Sequence, residues 1–409
     1  MIRINKPYIE EKGAYARLCS KIEVDDQVWD IWYEVESHNK QYLCYEKADA
    51  FLIGILPFAM AFGHNIDIID CPVSERIYWN LTNTFIPSLS KFSNYYKFIE
   101  INTSLSNQKF DSFAVATGFS AGVDSFHTYL MNKEKNTKDF NITHMTFFNV
   151  GACGSYGGDE AEKRFYNRIK TFENFVESQN LEFVKVNSNI SEHMMMSYNF
   201  THTYRSLSAV LALQKLFKTY YYSAGYTLNE FSFNPYSSAF YDLLNAQCFS
   251  TENTVFYTTG AVETRLEKIE YISKFPETYE NLNVCNINDE NCRTCEKCIR
   301  TMADLYALNV LEKYNKVFDV DYFKKHLVYN MAFVLSKSKD GTVEASYFDE
   351  IVKKMKENKI KIPFLSYFVA MPLTVKNIAI NTARKSKFLK RMYHKRMNKE
   401  QGIRYNDIN

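Results

Sequence analysis

One stretch constrains the fold of this 409-residue chain more than any other: residues 111–133, DSFAVATGFSAGVDSFHTYLMNK. Residues 113–117 are a short apolar run of strand length, and residues 118–125 are a turn of mostly small side chains. From Phe126 onward the spacing turns helical, with Phe126, Tyr129 and Leu130 on one face and Lys133 near the end. The pattern predicts strand, tight turn, helix. The first N–H groups of a helix have no partner within it, and the aligned peptide dipoles place partial positive charge there. Small residues let an anion come close to that backbone, so the turn is a candidate phosphate site.

The turn lacks the Gly-Lys-Ser/Thr ending of a Walker A loop. Ser120-Ala121-Gly122-Val123-Asp124-Ser125 instead resembles the PP-loop, Ser-Gly-Gly-x-Asp-Ser, of the N-type ATP pyrophosphatases. The resemblance implies that residues 120–125 hold the pyrophosphate of ATP through serine hydroxyls and backbone amides. It implies that Mg2+ supplies the missing positive charge, with Asp124 placing it or fixing the loop. It also implies cleavage between the α- and β-phosphates, adenylating an acceptor. Ala121 stands where the family usually has glycine. If that position needs positive φ, alanine is costly there.

A chain of this length holds two or three domains. With 46% hydrophobic and 23% charged residues it is globular, and 30 Tyr and 32 Phe predict an aromatic core. The net charge of +2 hides an asymmetry: residues 384–409 carry nine Lys/Arg against Glu400 and Asp407, a net +7, so the remainder stands at −5. Basic character therefore belongs to the tail. Met1-Ile-Arg-Ile-Asn-Lys shows no signal pattern, and the longest apolar run, 50–62, is too short to span a bilayer and contains Pro57. Nine cysteines, four of them clustered, fit a reducing cytoplasm and metal ligation better than a disulfide framework.

The order of segments predicts three regions. Residues 1–106 read as an α+β domain, with strands at 15–24 and 27–36, a buried helix at 50–62, a helix at 74–85 stopped before Pro87, and strands at 66–69 and 96–101. Residues 110–305 alternate strand and helix as a parallel α/β sheet does. Strands fall at 143–150, 181–186 and 220–224, and helices at 160–179 and 203–217. Ligands of such sheets bind beyond the carboxyl ends of the strands, here 120–125, Phe148 to Gly151, 187–189 and Gly225-Tyr226. Residues 306–409 read as helices, with an apolar segment at 362–375 ahead of the basic run 384–399. That pairing fits first a core helix with a solvated end, and beside it an anionic membrane surface or RNA phosphates.

Cys285, Cys292, Cys295 and Cys298 form the last motif, Cys-x6-Cys-x2-Cys-x2-Cys. Four thiolates within fourteen residues can close a tetrahedral zinc site, and with four protein ligands the metal is structural. The close trio also has iron–sulfur spacing. Loop and cysteines in this order resemble 7-cyano-7-deazaguanine synthases, the QueC-type branch of the PP-loop proteins, over about residues 111–305. That family has a late four-cysteine zinc site followed by an arginine, here Arg300. It has a helix entered at Tyr/Gly-Arg-Asn, similar to Tyr204-Arg205-Ser206, and a Thr-Lys-x-Glu helix, similar to Thr264-Arg265-Leu266-Glu267.

The resemblance implies a parallel α/β (HUP-like) PP-loop domain; the N-terminal α+β domain and the helical C-terminal extension read above, residues 1–106 and 306–409, have no counterpart in the family's housekeeping enzyme. It implies an AMP-forming ligase: a carboxylate on a small or macromolecular substrate attacks ATP, and a nitrogen nucleophile displaces AMP. Ammonia would come free or from a partner glutaminase, with operon partner proteins as further candidates. Asp124, Ser125 and Arg205 are the expected catalytic residues; Ser120 to Ser125, Phe148, Asn149, Gly225 and Arg265 are expected to bind ATP. The family's Gly-Gln-Arg-His stretch is replaced by Asn149-Val150-Gly151-Ala152-Cys153-Gly154, which points to another substrate. Two alternatives stand beside this: tRNA thiolation with Cys153 as sulfur carrier, and a nucleotide-binding subunit without turnover.

Overall fold

The computed structural model describes residues 1–385 except 136, 235, 341 and 343, with the backbone alone for 382–385. The chain is α/β, built on a large, mostly parallel sheet. Its strands are β1 (Ile2–Ile4), β2 (Tyr8–Lys12), β3 (Tyr15–Val24), β4 (Gln27–Glu36), β5 (Ile66–Ser74), β6 (Ile101–Ser106), β7 (Ala114–Gly118), β8 (His144–Asn149), β9 (Glu182–Ser188), β10 (Phe217–Ser223) and β11 (Val255–Thr259). Two compact units emerge, residues 1–264 with 281–283, and residues 265–280 with 284–409.

In the first unit the sheet order is β11-β10-β7-β8-β9-β4-β3-β1-β5-β6, with β2 on β3. The five strands β11, β10, β7, β8 and β9 are mutually parallel. β8 is buried along all six residues, as a central parallel strand covered on both faces must be. The helix Val123–Lys135 packs on β7 and β10 and the helix Asp159–Ser178 on β8 and β9. Between them lies an aromatic core in which Phe119 stacks on Phe175 at 5.0 Å and meets Phe126 edge-on at 5.1 Å. The crossover from β9 to β10 runs the other way along the sheet, so right-handedness sends the helix Tyr198–Leu211 to the opposite face.

The expected boundary near residues 106–110 is not where the units part. β4 pairs antiparallel with β9 through Tyr33 opposite Ser188 and Glu34 opposite Asn187, which joins the N-terminal strands to the parallel ones. The almost fully buried helix Asp49–Phe62 packs along the helix Tyr198–Leu211. Gly54 faces this packing: a Cβ there would sit 3.4 Å from Ser208 Oγ of that helix and would clash at 2.7 Å with Ile190 Cδ1 and 2.8 Å with the Tyr33 hydroxyl. Asp49, wholly buried, accepts from the Ser74 amide at 2.7 Å, the Ser74 hydroxyl at 2.6 Å and Gln214 Nε2 at 3.0 Å. A buried carboxylate satisfied from both sides of residue 106 makes the two stretches one packed body.

Local expectations hold where the pattern is strong. The hairpin β3–β4 spans 15–24 and 27–36 as predicted, its two-residue turn placing Asp25 at φ 52. The predicted stop before Pro87 gives way: a π turn at Leu81–Phe85 leads into the helix Ile86–Phe92, where Pro87 sits in the first turn and lacks no needed donor. The strand expected at 96–101 forms later, as β6.

The second unit contains the helices Arg265–Ile272, Glu296–Ala307, Leu327–Lys337, Ala345–Glu357 and Phe364–Lys385. The four cysteines and Arg265 belong here, not with the strands, because the helix that follows the cysteines packs against the helices at 327–337 and 345–357. The expected boundary at 305 falls inside that helix. Basic residues 386–399 lie outside the described residues. No helix among the described residues is long and apolar enough to cross a membrane.

Candidate functional site

Counting only the parallel strands, the order β9-β8-β7-β10-β11 reads 3-2-1-4-5 in chain order. The chain leaves β7 toward β8 and later crosses to β10 on its other side. The carboxyl end of β7 is therefore the topological switch point, where a crevice opens in such sheets. Residues 119–122 occupy it and feed the helix Val123–Lys135.

The loop is tied down from within. Phe119 N–H donates to Thr146 O at 2.8 Å, anchoring it to β8. The Ser125 hydroxyl donates to Gly122 O at 3.0 Å and faces Ser120 N–H at 3.4 Å. Asn283 N–H donates to Ala121 O at 2.8 Å. Ala121 has φ 53, the left-handed conformation that alanine adopts only at a cost. Ser120 is exposed, Gly122 and Asp124 are half-buried, and Ala121, Val123 and Ser125 are buried. Ser120 is thus the exposed hydroxyl of the turn, while Ser125 braces it from within.

The strain at Ala121 yields a prediction. Ala121→Gly relieves it at the expense of unfolded-state freedom and a buried methyl, so stability should change by no more than about 1 kcal/mol. Ala121→Val, β-branched at positive φ, should lose at least about 2 kcal/mol. Urea midpoints decide this; equal loss for both variants would show that the loop does not hold the left-handed geometry.

Beside the loop, Thr128 Oγ1 lies 2.9 Å from Ser223 Oγ and 2.9 Å from Thr259 Oγ1. These hydroxyls gather the helix Val123–Lys135 with the last residues of β10 and β11. Sequence reading missed them because β11 was not predicted, although Val255-Phe-Tyr-Thr-Thr before Gly260 carries a strand signal. On the other flank, Phe148 stacks on Tyr220, and Asn149 Nδ2 donates to Asn187 Oδ1 at 2.8 Å. Asn149 Oδ1 is buried with no hydrogen-bond partner among the described residues. Gly225 is the second residue after β10.

Arg205 sits elsewhere in this unit and is wholly buried in the helix Tyr198–Leu211. It donates to Ser155 O at 2.9 Å, Ser191 Oγ at 3.1 Å and Met196 O at 2.6 Å. Burial pulls its pKa down to about 10. Its guanidinium holds the 150–158 turn and the 194–196 corner together, so its geometry is that of a brace. Cys153, the expected sulfur carrier of the thiolation alternative, is 3% exposed. Arg265 opens a helix of the second unit, where its charge acts on buried Arg300 and Asp304.

Sequence reading also passed over Asp242. It is 3% exposed, accepts from Thr203 Oγ1 at 2.6 Å, and its Oδ2 has no hydrogen-bond partner among the described residues. It lines a small cleft with Tyr226, Leu228, Phe231 and Phe240 beyond β10 and β11. Burial lifts its pKa to about 7, against the opposing pull of Thr203 and Asn245. Between the unfolded value near 3.9 and that value, the folded state binds the extra proton, so stability falls as pH rises from about 4 to about 7. Asp242→Asn should remove this slope and gain on the order of 2–4 kcal/mol at pH 8 relative to pH 4. Denaturant midpoints at the two pH values test it; an unchanged slope would place the titration on another group.

The cysteine cluster is a candidate metal centre. The four Sγ atoms all lie within 4.8 Å of one another, with Cys285 to Cys295 at 3.9 Å and Cys292 to Cys298 at 4.0 Å. A tetrahedral ion with metal–sulfur bonds of about 2.3 Å needs sulfurs about 3.8 Å apart, so the set fits a single ion such as zinc. A four-iron cluster is bulkier and would hold the sulfurs further apart. Backbone N–H groups of Asn288, Cys295 and Cys298 point at Cys285, Cys292 and Cys295 sulfurs at 3.3–3.4 Å. Burial opposes ionisation at Cys285, but the backbone amides of Asn288, Cys292 and Ile287, with the Cys292 thiol, outweigh it and bring the thiol down to about 6. Cys298, buried and facing its neighbours, is pushed up. Four crowded sulfurs cannot all ionise alone; a cation at their centre removes the conflict.

Comparison with family models, with curated proteins and with solved structures found no match to this chain.

Proposed function

We propose that the first unit is an ATP-binding, AMP-forming enzyme of the PP-loop type, related in design to the QueC-type ligases, and that the second unit carries a structural zinc ion. The observation that supports this most is the place of the lysine-free turn Ser120 to Ser125, at the switch point of a 3-2-1-4-5 parallel sheet and at the start of a helix. On this reading the amides of residues 121–125 and the Ser120 hydroxyl hold the β- and γ-phosphates. Asp124, half-buried at the first turn, places Mg2+, which would neutralise charge on the leaving pyrophosphate. The hydroxyls of Thr128, Ser223 and Thr259 extend the donor surface, and Phe148 with Asn149 lies on the adenine side.

In the reaction a substrate carboxylate oxygen bonds to the α-phosphorus as the α–β bridging bond breaks. Acyl-adenylate and pyrophosphate result; a nitrogen nucleophile then displaces AMP. Positioning and charge stabilisation supply the catalysis. Arg205 enters as a positioning residue for the loop after β8. A pyrophosphate-release screen over carboxylates, with ammonia or glutamine present, tests the reading. Tight nucleotide binding with no pyrophosphate released from any acceptor would favour a nucleotide-sensing subunit instead.

A further inference from the structure

The C-terminal helix of the second unit, Phe364–Lys385, has two unlike faces. One is packed: Ser366 and Ala370 are buried, Val369 and Leu373 join Ala332 and Leu335 in a small core, and Asn381 Nδ2 donates to Asp340 O at 3.0 Å. At 100° per residue these positions cluster on one side. The opposite side carries Phe364, Tyr367, Phe368, Met371, Val375 and Ile378, each 46–73% exposed. Their spacing draws one apolar stripe down four turns. Exposed large apolar side chains in line on one helix face, Phe364, Tyr367, Phe368, Met371 and Val375 among them, mark an interaction surface.

Charge selects the partner. Between Glu357 and Glu400 the sequence has no acidic residue and eleven lysines and arginines, Lys376 within the helix and most of the others just after it. A second copy of this chain would bring two such segments together with no carboxylates beside the stripe to pair with them. A surface of acidic lipids attracts every one, at about 1 kcal/mol per basic residue near the surface. Phe364, Tyr367 and Phe368 suit the boundary between headgroups and acyl chains, where aromatic rings concentrate. An apolar face with a polybasic run is the pair of signals that stable peripheral attachment requires.

We propose that this helix lies flat on an anionic lipid surface, apolar stripe down. The claim is independent of the nucleotide reading. The test is sedimentation of the full chain with phosphatidylcholine vesicles, with and without phosphatidylserine. The chain should pellet with the anionic vesicles only. Phe368→Asp with Met371→Asp, both at exposed positions and so compatible with folding, should weaken this at least about tenfold, as should Lys390, Arg391, Lys395 and Arg396 all changed to Gln. No pelleting with either vesicle overturns the proposal. So does a concentration-dependent dimer in sedimentation velocity that the Phe368/Met371 variant abolishes, since the stripe would then belong to a second copy. Copurified nucleic acid lost with the four Gln changes, without vesicle binding, overturns it as well.

Discussion

Changing Cys295 and Cys298 together to serine should empty the metal site and cost the second unit several kcal/mol. Structural zinc supplies about 10–16 kcal/mol in small zinc domains near neutral pH, which sets the ceiling. The loss should be large here because the knot sets the first turn of the helix Glu296–Ala307: Cys295 is its N-cap, accepting from Cys298 N–H. That helix in turn buries Met302, Leu305 and Ala307 among its neighbours. Elemental analysis should give one zinc per chain in the parent and none in the variant. Hydrogen exchange across 285–307 should rise by orders of magnitude when a chelator removes the ion. A metal-free parent protein with a sharp, chelator-insensitive transition would end the structural-zinc reading, and iron with visible absorbance would replace it by a cluster.

The second large effect is on chemistry. Asp124→Asn should reduce ATP–pyrophosphate exchange by at least about 100-fold while leaving the unfolding midpoint nearly unchanged, since removing one charge-stabilising group from such a site costs on that order. Asp124 is half-buried at the helix start, where a carboxylate also meets the helix dipole favourably, so the stability change should stay within about 1 kcal/mol. Ser125→Ala is expected to abolish exchange too, by a different route. Its hydroxyl ties Gly122 O to the turn, so the variant loosens the loop and should lose nucleotide affinity together with turnover. Ser120→Ala, which removes an exposed hydroxyl, should cost less than either. Full exchange in Asp124→Asn would remove the enzyme assignment, whatever the loop binds.

Much of the fold was legible in the sequence. Residues 15–36 alternate so strictly that only one hairpin register buries their apolar side, and the structure has it. Residues 113–135 could be read as strand, turn and helix because apolar run, small residues and helical spacing follow one another without a break. The doubt about Ala121 was also legible: its position does take positive φ. The cysteine spacing announced four converging sulfurs, since x2 gaps leave little freedom for three of them.

Other features were settled only by long-range packing. The join of β4 to β9 rests on two residue pairs 155 and 153 positions apart, and no local pattern encodes such a partner. The assignment of the cysteines to the second unit follows from which helices the 296–307 segment buries its apolar face against. The sequence marked Arg205 as a candidate catalytic arginine on a helix; burial against two carbonyl oxygens and the Ser191 hydroxyl, which makes it a brace, depends on the 150–158 turn and the 190–196 segment converging on it. The outward stripe at 364–378 was visible as apolar residues but not as exposed ones, because a helix with two apolar sides does not declare which one the fold will cover. Local propensity and period determine the elements, whereas the partner of each face is chosen by the whole chain at once.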